Sequence, residues 1–176
     1  MRIRWLWIVW LLLAVSPAWA QVVWSPPGWS NQIGTTYSGT ELVNIAGQGS
    51  SACTTLQLPA GDGQVSWYMP NPDQDFVVSV HAAGGAPLGA YALRVVPWHV
   101  EVREGFWQLM ASARLEVGDA LAIAITGGRV SYLRNGTMFY QSRSPYPPTG
   151  YPAVACVQFM AFGGWVSNLQ VQGGWK

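Results

Sequence analysis

Apolar residues alternate with polar ones along most of this chain, and Gly or Pro interrupts most runs before a helical face can build up. Few windows place apolar residues at i, i+3 and i+4, so the pattern predicts strands rather than helices. The clearest stretch is Gly118 to Ser142, GDALAIAITGGRVSYLRNGTMFYQS. It predicts three consecutive antiparallel strands: Leu121 to Ile125, Val130 to Arg134 and Thr137 to Gln141. Gly127-Gly128 closes the first hairpin and Asn135-Gly136 the second. Asn-Gly is the strongest short hairpin signal, because a type I′ turn needs positive φ at both central residues. Alternation puts Leu121, Ile123 and Ile125 on one face.

The same reading predicts strands at Ala52 to Leu58, Gln64 to Tyr68, Phe76 to His81 and Ala90 to Val96. It adds His99 to Arg103, Phe106 to Ala111, Val154 to Phe159 and Val166 to Val171. Many short strands spaced by turns indicate an all-β sandwich or barrel. Two stretches read as irregular: Gln21 to Ser30, with two prolines and two tryptophans, and the loop Ser142 to Pro152, with four prolines and two tyrosines. No long repeat and no dividing linker is evident.

The first twenty residues change the picture. Arg2 and Arg4 precede a continuous apolar run from Trp5 to Val15, and Ala18-Trp19-Ala20 ends in a small-x-small pattern. This predicts a cleaved signal peptide over 1–20, with Gln21 as the mature N-terminus. The run is short for a membrane anchor, and no cysteine follows the cleavage site to carry a lipid. The mature chain then has 156 residues, 176 less the leader, enough for one domain. Its seven Lys and Arg nearly balance eight Asp and Glu, which points away from nucleic acid and anionic membranes as partners. No later run is long and apolar enough to span a membrane.

Cys53 and Cys156 are the only cysteines. In an exported chain an even pair is most simply one disulfide, with two buried thiols as the alternative. In the chain-entropy model, closing so long a loop stabilises by about 4–5 kcal/mol. No histidine lies near either cysteine along the sequence, so a zinc site is not expected.

Four segments in order carry a family resemblance: Gly61-Asp62-Gly63-Gln64-Val65-Ser66-Trp67, Val100 to Gly105, Gly118 to Ile123, and Val130 to Thr137. From about Gly39 to the C-terminus the chain resembles the concanavalin A-like lectin/glucanase jelly rolls, especially SPRY-like modules of extracellular bacterial proteins. The resemblance implies an antiparallel two-sheet jelly-roll sandwich over 39–176, preceded by an extended segment at 21–38. It implies a buried Trp67, and early and late strands close enough for a Cys53–Cys156 bridge. Asp119 is expected to cap amides at its turn.

Catalytic chemistry is not expected. Glycosidases need two carboxylates across the scissile bond, and the glucanase relatives carry them as Glu-x-Asp-x-Glu on one strand. The nearest run, Glu101-Val102-Arg103-Glu104, sends its two acids to opposite faces. Only His81 and His99 are available as bases, and no Gly-x-Ser-x-Gly elbow occurs. Asn71-Pro72-Asp73-Gln74-Asp75 begins like a calcium loop but has Phe76 at the sixth position, where Gly is required. It reads as a polar turn, leaving calcium open only if distant residues complete a site. Asn135-Gly136-Thr137 is also a glycosylation sequon, but the turn explains it.

Aromatic residues are the best ligand candidates, since sugar rings stack their C–H faces on them. Trp98-His99 follows Pro97, Trp107 follows the Glu-Gly turn, and Tyr146 and Tyr151 lie on the Pro-rich loop. These five are the expected contacts. The function expected is a secreted or cell-surface, bacterial-type, non-catalytic binding module for carbohydrate or a surface polymer, with no cofactor. The alternative is a self-assembling subunit of an extracellular fibre or surface layer. In that reading Val22-Val23-Trp24 of the N-terminal segment pairs with a neighbouring copy's edge.

Overall fold

The computed structural model describes residues 28–85, 91–147 and 151–176. The expected leader, the tail Val22-Val23-Trp24 and part of the Pro-rich loop lie outside these residues.

Among the described residues fourteen strands follow in order: β1 (Trp29–Ile33), β2 (Thr35–Ser38), β3 (Glu41–Asn44), β4 (Ser51–Thr54), β5 (Gly63–Tyr68), β6 (Phe76–Ala82), β7 (Tyr91–Val96), β8 (His99–Glu104), β9 (Gln108–Arg114), β10 (Ala120–Thr126), β11 (Arg129–Arg134), β12 (Thr137–Pro145), β13 (Ala153–Phe159) and β14 (Trp165–Gly173). They form two seven-stranded sheets. The first has the order β1-β4-β13-β6-β7-β8-β9, the second β12-β11-β10-β5-β14-β3-β2. Neighbouring strands pair antiparallel. This is the two-sheet jelly roll that the resemblance implied.

Period-2 alternation builds the core between the sheets. From the first sheet Phe76, Val78, Leu93, Val95, Val100, Val102, Val157 and Phe159 point inward and are buried. Val65, Trp67, Leu121, Ile123, Val130 and Tyr132 meet them from the second. Trp67 is buried as expected, at 2% exposure. In β14 simple alternation fails: Val166, Leu169 and Val171 are all buried. The register shifts between Ser167 and Gln170, where Asn168 takes φ 51°. A bulge there inserts one residue and returns the next apolar side chains to the core.

The meander stands where alternation put it. Gly127 and Gly128 have φ 55° and 72°, Asn135 and Gly136 φ 52° and 75°, so both hairpins carry positive φ at both central residues. Asp119 locks the second one. Its carboxylate accepts from Arg134 Nε at 2.7 Å, Asn135 Nδ2 at 2.7 Å and the Glu116 amide at 2.8 Å. Burial alone would raise the Asp119 pKa, but these hydrogen bonds and the Arg134 charge outweigh it and hold the group below its ordinary value.

Four boundaries differ from expectation. Trp29 to Ser38, expected within an extended segment ahead of the domain, supplies β1 to one sheet and β2 to the other. These strands are short and polar, so they carry little periodic signal. The strand expected over Ala52 to Leu58 ends at Thr54, and Leu58 makes only an isolated bridge to Ala153. β9 begins at Gln108 rather than Phe106, because Phe106 and Trp107 belong to the turn, where Phe106 is 100% exposed. β12 runs on to Pro145, into the expected loop.

Candidate functional site: the outward face of the first sheet

The side chains that alternate away from the core on β6 to β9 carry the polar chemistry of this molecule. Register places them in rows. One row runs Gln158, Val77, Arg94, Glu101, Ser112 across β13, β6, β7, β8 and β9. The next runs Cys53, Cys156, Ser79, Ala92, Arg103, Leu109. Ser79 and Ala92 are small, so the centre of the second row is low and Arg103 rises beside it.

Each arginine is held by a carboxylate. Arg94 donates from Nε to Asp75 Oδ1 at 3.2 Å and from its terminal nitrogen to Oδ2 at 3.0 Å, a fork-on-carboxylate pair. That bond to Asp75 raises the Arg94 pKa, against a smaller effect of burial. Arg103 donates to Glu101 Oε2 from Nε at 3.0 Å and from its terminal nitrogen at 2.6 Å. The other terminal nitrogen bonds the Trp107 carbonyl at 3.2 Å, and the guanidinium carbon lies 5.9 Å from the Trp107 ring centre. These side chains are a fifth to a quarter exposed, fixed but reachable. The paired charges cancel, so the face offers donors and acceptors together with little net charge.

Two tryptophans bracket the rows along β8, whose six residues span about 20 Å. Trp98 sits with Pro97 in the tight β7–β8 turn, at φ 64° and 47% exposed. Trp107 occupies the β8–β9 turn at φ 69°. Left-handed backbone is unfavourable for a bulky residue and belongs there to glycine or asparagine. Two tryptophans in that conformation, at the two ends of one polar face, make it the candidate site.

The five predicted contacts therefore separate. Trp98 and His99 lie at one end of the face and Trp107 at the other, with His99 exposed and alternating with Glu101 and Arg103. Tyr146 is not at a rim: it is 4% exposed and packs between Tyr91 and Tyr151, ring centres 5.4 and 5.0 Å away. Tyr151 is half-buried, and its hydroxyl donates to the Gly61 carbonyl at 2.9 Å. Sequence reasoning missed Arg94, Asp75 and Arg103 as site residues. Only the alternation of His99, Glu101 and Arg103 hinted at an outward polar strand.

The two acids of β8 do face opposite sides. Glu101 lies outward with Arg103, while Glu104 continues the inward series of Val100 and Val102 and accepts from the Ser142 hydroxyl at 3.0 Å. The Asn71 to Asp75 segment is a polar turn. Asn71 accepts the Asp73 amide, Gln74 accepts the Trp165 amide, and both Asp75 oxygens are taken by Arg94. Cys53 and Cys156 are register partners joined by a disulfide. His81, 75 residues away in sequence, lies 3.1 Å from the Cys156 sulfur. Distance along the chain therefore misjudged the neighbourhood of the cysteines.

The strand order and pairing define a two-sheet jelly roll, a fold shared with legume-lectin/concanavalin A-like domains. Solved structures of this type include the Emp47p carbohydrate recognition domain, with TM-score 0.60, 11% identity, and coverage of 83% of this chain and 88% of that one. The VIP36 exoplasmic/lumenal domain, in its Ca2+/Man3GlcNAc-bound form, matches at TM-score 0.59 and 10% identity over 82% of each chain. The metal-free Emp46p carbohydrate recognition domain matches at TM-score 0.61 and 7% identity, over 82% of this chain and 87% of that one. At such identities the likeness is one of fold. No family model and no curated protein sequence matches the chain.

Proposed function

We propose that this chain is a secreted, non-catalytic carbohydrate-binding module. In this reading it holds an uncharged glycan on the outward face of the first sheet, between Trp98 and Trp107. The observation that carries the reading is the pair of carboxylate-locked arginines, Arg94 and Arg103, lying between two strained tryptophans. Vicinal hydroxyls need a donor and an acceptor side by side, and each ion pair supplies both without net charge. Indole faces supply apolar area for sugar C–H groups. The fold supports the reading by analogy, since neighbours of the same fold are described as carbohydrate recognition domains. The opposed acids Glu101 and Glu104 support the non-catalytic part of the reading, since the two do not face one cleft. Calcium has no role in this reading, because Arg94 already neutralises Asp75.

The test is a glycan array followed by calorimetry on the best ligand, with and without EDTA. Neutral oligosaccharides should bind, EDTA should change nothing, and Arg94→Ala with Arg103→Ala should abolish binding while circular dichroism stays unchanged. A folded wild type that binds no glycan overturns the reading.

The assembling alternative draws on the other side of the molecule's chemistry. Edge strands β9 and β12 carry the exposed Leu109 and Met138, and the fully exposed Phe106 stands beside β9. A monomer at high concentration in size-exclusion chromatography would dispose of it.

A further inference from the structure

Past β6 the outward face of the first sheet changes from ion pairs to sulfur and imidazole. Cys53 on β4 and Cys156 on β13 are directly opposite each other. His81 on β6 pairs with Val154, the outward neighbour of Cys156 two residues along the same strand. His81 Nδ1 lies 2.9 Å from the Ala82 carbonyl oxygen. A carbonyl can only accept, so Nδ1 carries the proton and Nε2 is left with a bare lone pair. That Nε2 lies 3.1 Å from the Cys156 sulfur. The two sulfurs and a His81 nitrogen all fall within 4.8 Å of one another. A depression of about 600 Å³ opens over this cluster, with Ser30, Asn31, Thr55 and Gln57 among its walls.

We infer that the Cys53–Cys156 disulfide is the metal-free, oxidised state of a zinc-type site made by the two thiolates and His81 Nε2. A dithiol reductant supplies the two electrons. Its two sulfurs close into a cyclic disulfide, the Cys53–Cys156 bond breaks, and each cysteine sulfur takes one proton. A divalent ion then displaces those two protons to solvent and accepts three lone pairs.

The geometry asks little of the chain. Around a tetrahedral ion with Zn–S near 2.3 Å and Zn–N near 2.0 Å, ligand atoms stand about 3.5–3.8 Å apart. The histidine–sulfur gap opens by a few tenths of an ångström from its present 3.1 Å. The sulfurs separate by rotation about the two Cα–Cβ bonds, with the strands in place. The Ala82 carbonyl on Nδ1 is the kind of outer partner that orients a metal-bound imidazole. Three protein ligands leave a fourth position, and the depression lies over it. Two thiolates select zinc and similar borderline-soft ions over calcium or magnesium. The site is independent of glycan binding, since neither reading uses the other's residues.

Cobalt spectroscopy tests this on the mature chain. The protein is reduced with a phosphine, freed of it without air, checked for native tryptophan signals in near-ultraviolet circular dichroism, and titrated with Co²⁺. Reduced protein should take up one equivalent, with thiolate-to-cobalt charge transfer and tetrahedral visible bands. Oxidised protein should show neither, and Zn²⁺ should displace the cobalt. His81→Ala should weaken cobalt at least about tenfold while keeping charge transfer, and Cys53→Ser or Cys156→Ser should remove it. Folded, reduced protein without these bands overturns the inference, as does an unchanged affinity in His81→Ala. Reduced protein that is unfolded and stays so with Co²⁺ or Zn²⁺ overturns it equally.

Discussion

The Arg103 guanidinium lies over the Trp107 ring at 5.9 Å and bonds the carbonyl of that same residue at 3.2 Å. One side chain thus holds a left-handed turn by its backbone and its indole, while Glu101 holds the arginine. The arginine is consequently a positioning residue of Trp107 as well as a contact in the proposed glycan site.

Arg103→Lys tests this coupling. An ammonium is a compact donor that cannot span the Glu101 carboxylate, the Trp107 carbonyl and the ring at once. Cation–π contact at about 0.5–1 kcal/mol and a hydrogen bond near 1 kcal/mol are lost together. Calorimetry should show glycan affinity falling about tenfold or more, with the melting temperature lowered by several degrees. Equal affinity would remove Arg103 from the site.

Trp98→Gly separates conformation from contact. Left-handed backbone costs a bulky residue about 1–2 kcal/mol, which glycine recovers. The gain offsets the packing of a side chain already half exposed. Urea unfolding should therefore place stability within about 1 kcal/mol of wild type, while glycan affinity falls. A large loss of stability would show that Trp98 is held there by packing.

Asp119→Ala removes three hydrogen bonds and leaves Arg134 without its nearest carboxylate. The expected loss is about 3–4 kcal/mol by chemical denaturation, as for breaking a buried pair. The pH dependence has a definite sign. The folded pKa of Asp119 is depressed below its ordinary 3.8, so the contribution is full above that value and is lost as pH falls through the lower folded one. Acid titration of wild type and Asp119→Asn should converge at the lowest pH, since the wild-type group is protonated there.

Reduction of Cys53–Cys156, with its separation of 103 residues, should lower stability by about 4–5 kcal/mol in the chain-entropy picture. His81 adds an acid-side sensitivity. Its folded pKa is lowered, so the unfolded chain binds its proton first, and stability declines as pH drops below about 6.5. His81→Gln should flatten that part of the stability–pH curve. A curve unchanged by the substitution would assign the decline to other groups.

Legibility followed periodicity. The β10–β12 meander, its two positive-φ turns and the role of Asp119 could be read directly, because each rests on neighbours within a few residues, whereas the buried Trp67 was implied by the family resemblance. β1 to β3 could not, since their short polar segments become strands only through partners: Trp29 pairs with Thr54, and Thr35 with Asn44. Tyr146 and Tyr151 showed the same limit from the other side. A Pro-rich loop reads as exposed, yet Tyr146 is buried against Tyr91 and Tyr151 packs on Tyr146.

By itself the chain's pattern determined an all-β sandwich or barrel, its central strands, and that Leu121, Ile123 and Ile125 share one face, because alternation is local. Tertiary structure decided the rest. Arg94 meets Asp75 across 19 residues, His81 meets Cys156 across 75, and Cys53 meets Cys156 across 103. Such meetings depend on strand order and register, which no local spacing encodes, and they bring together the side chains that give the outward face its chemistry.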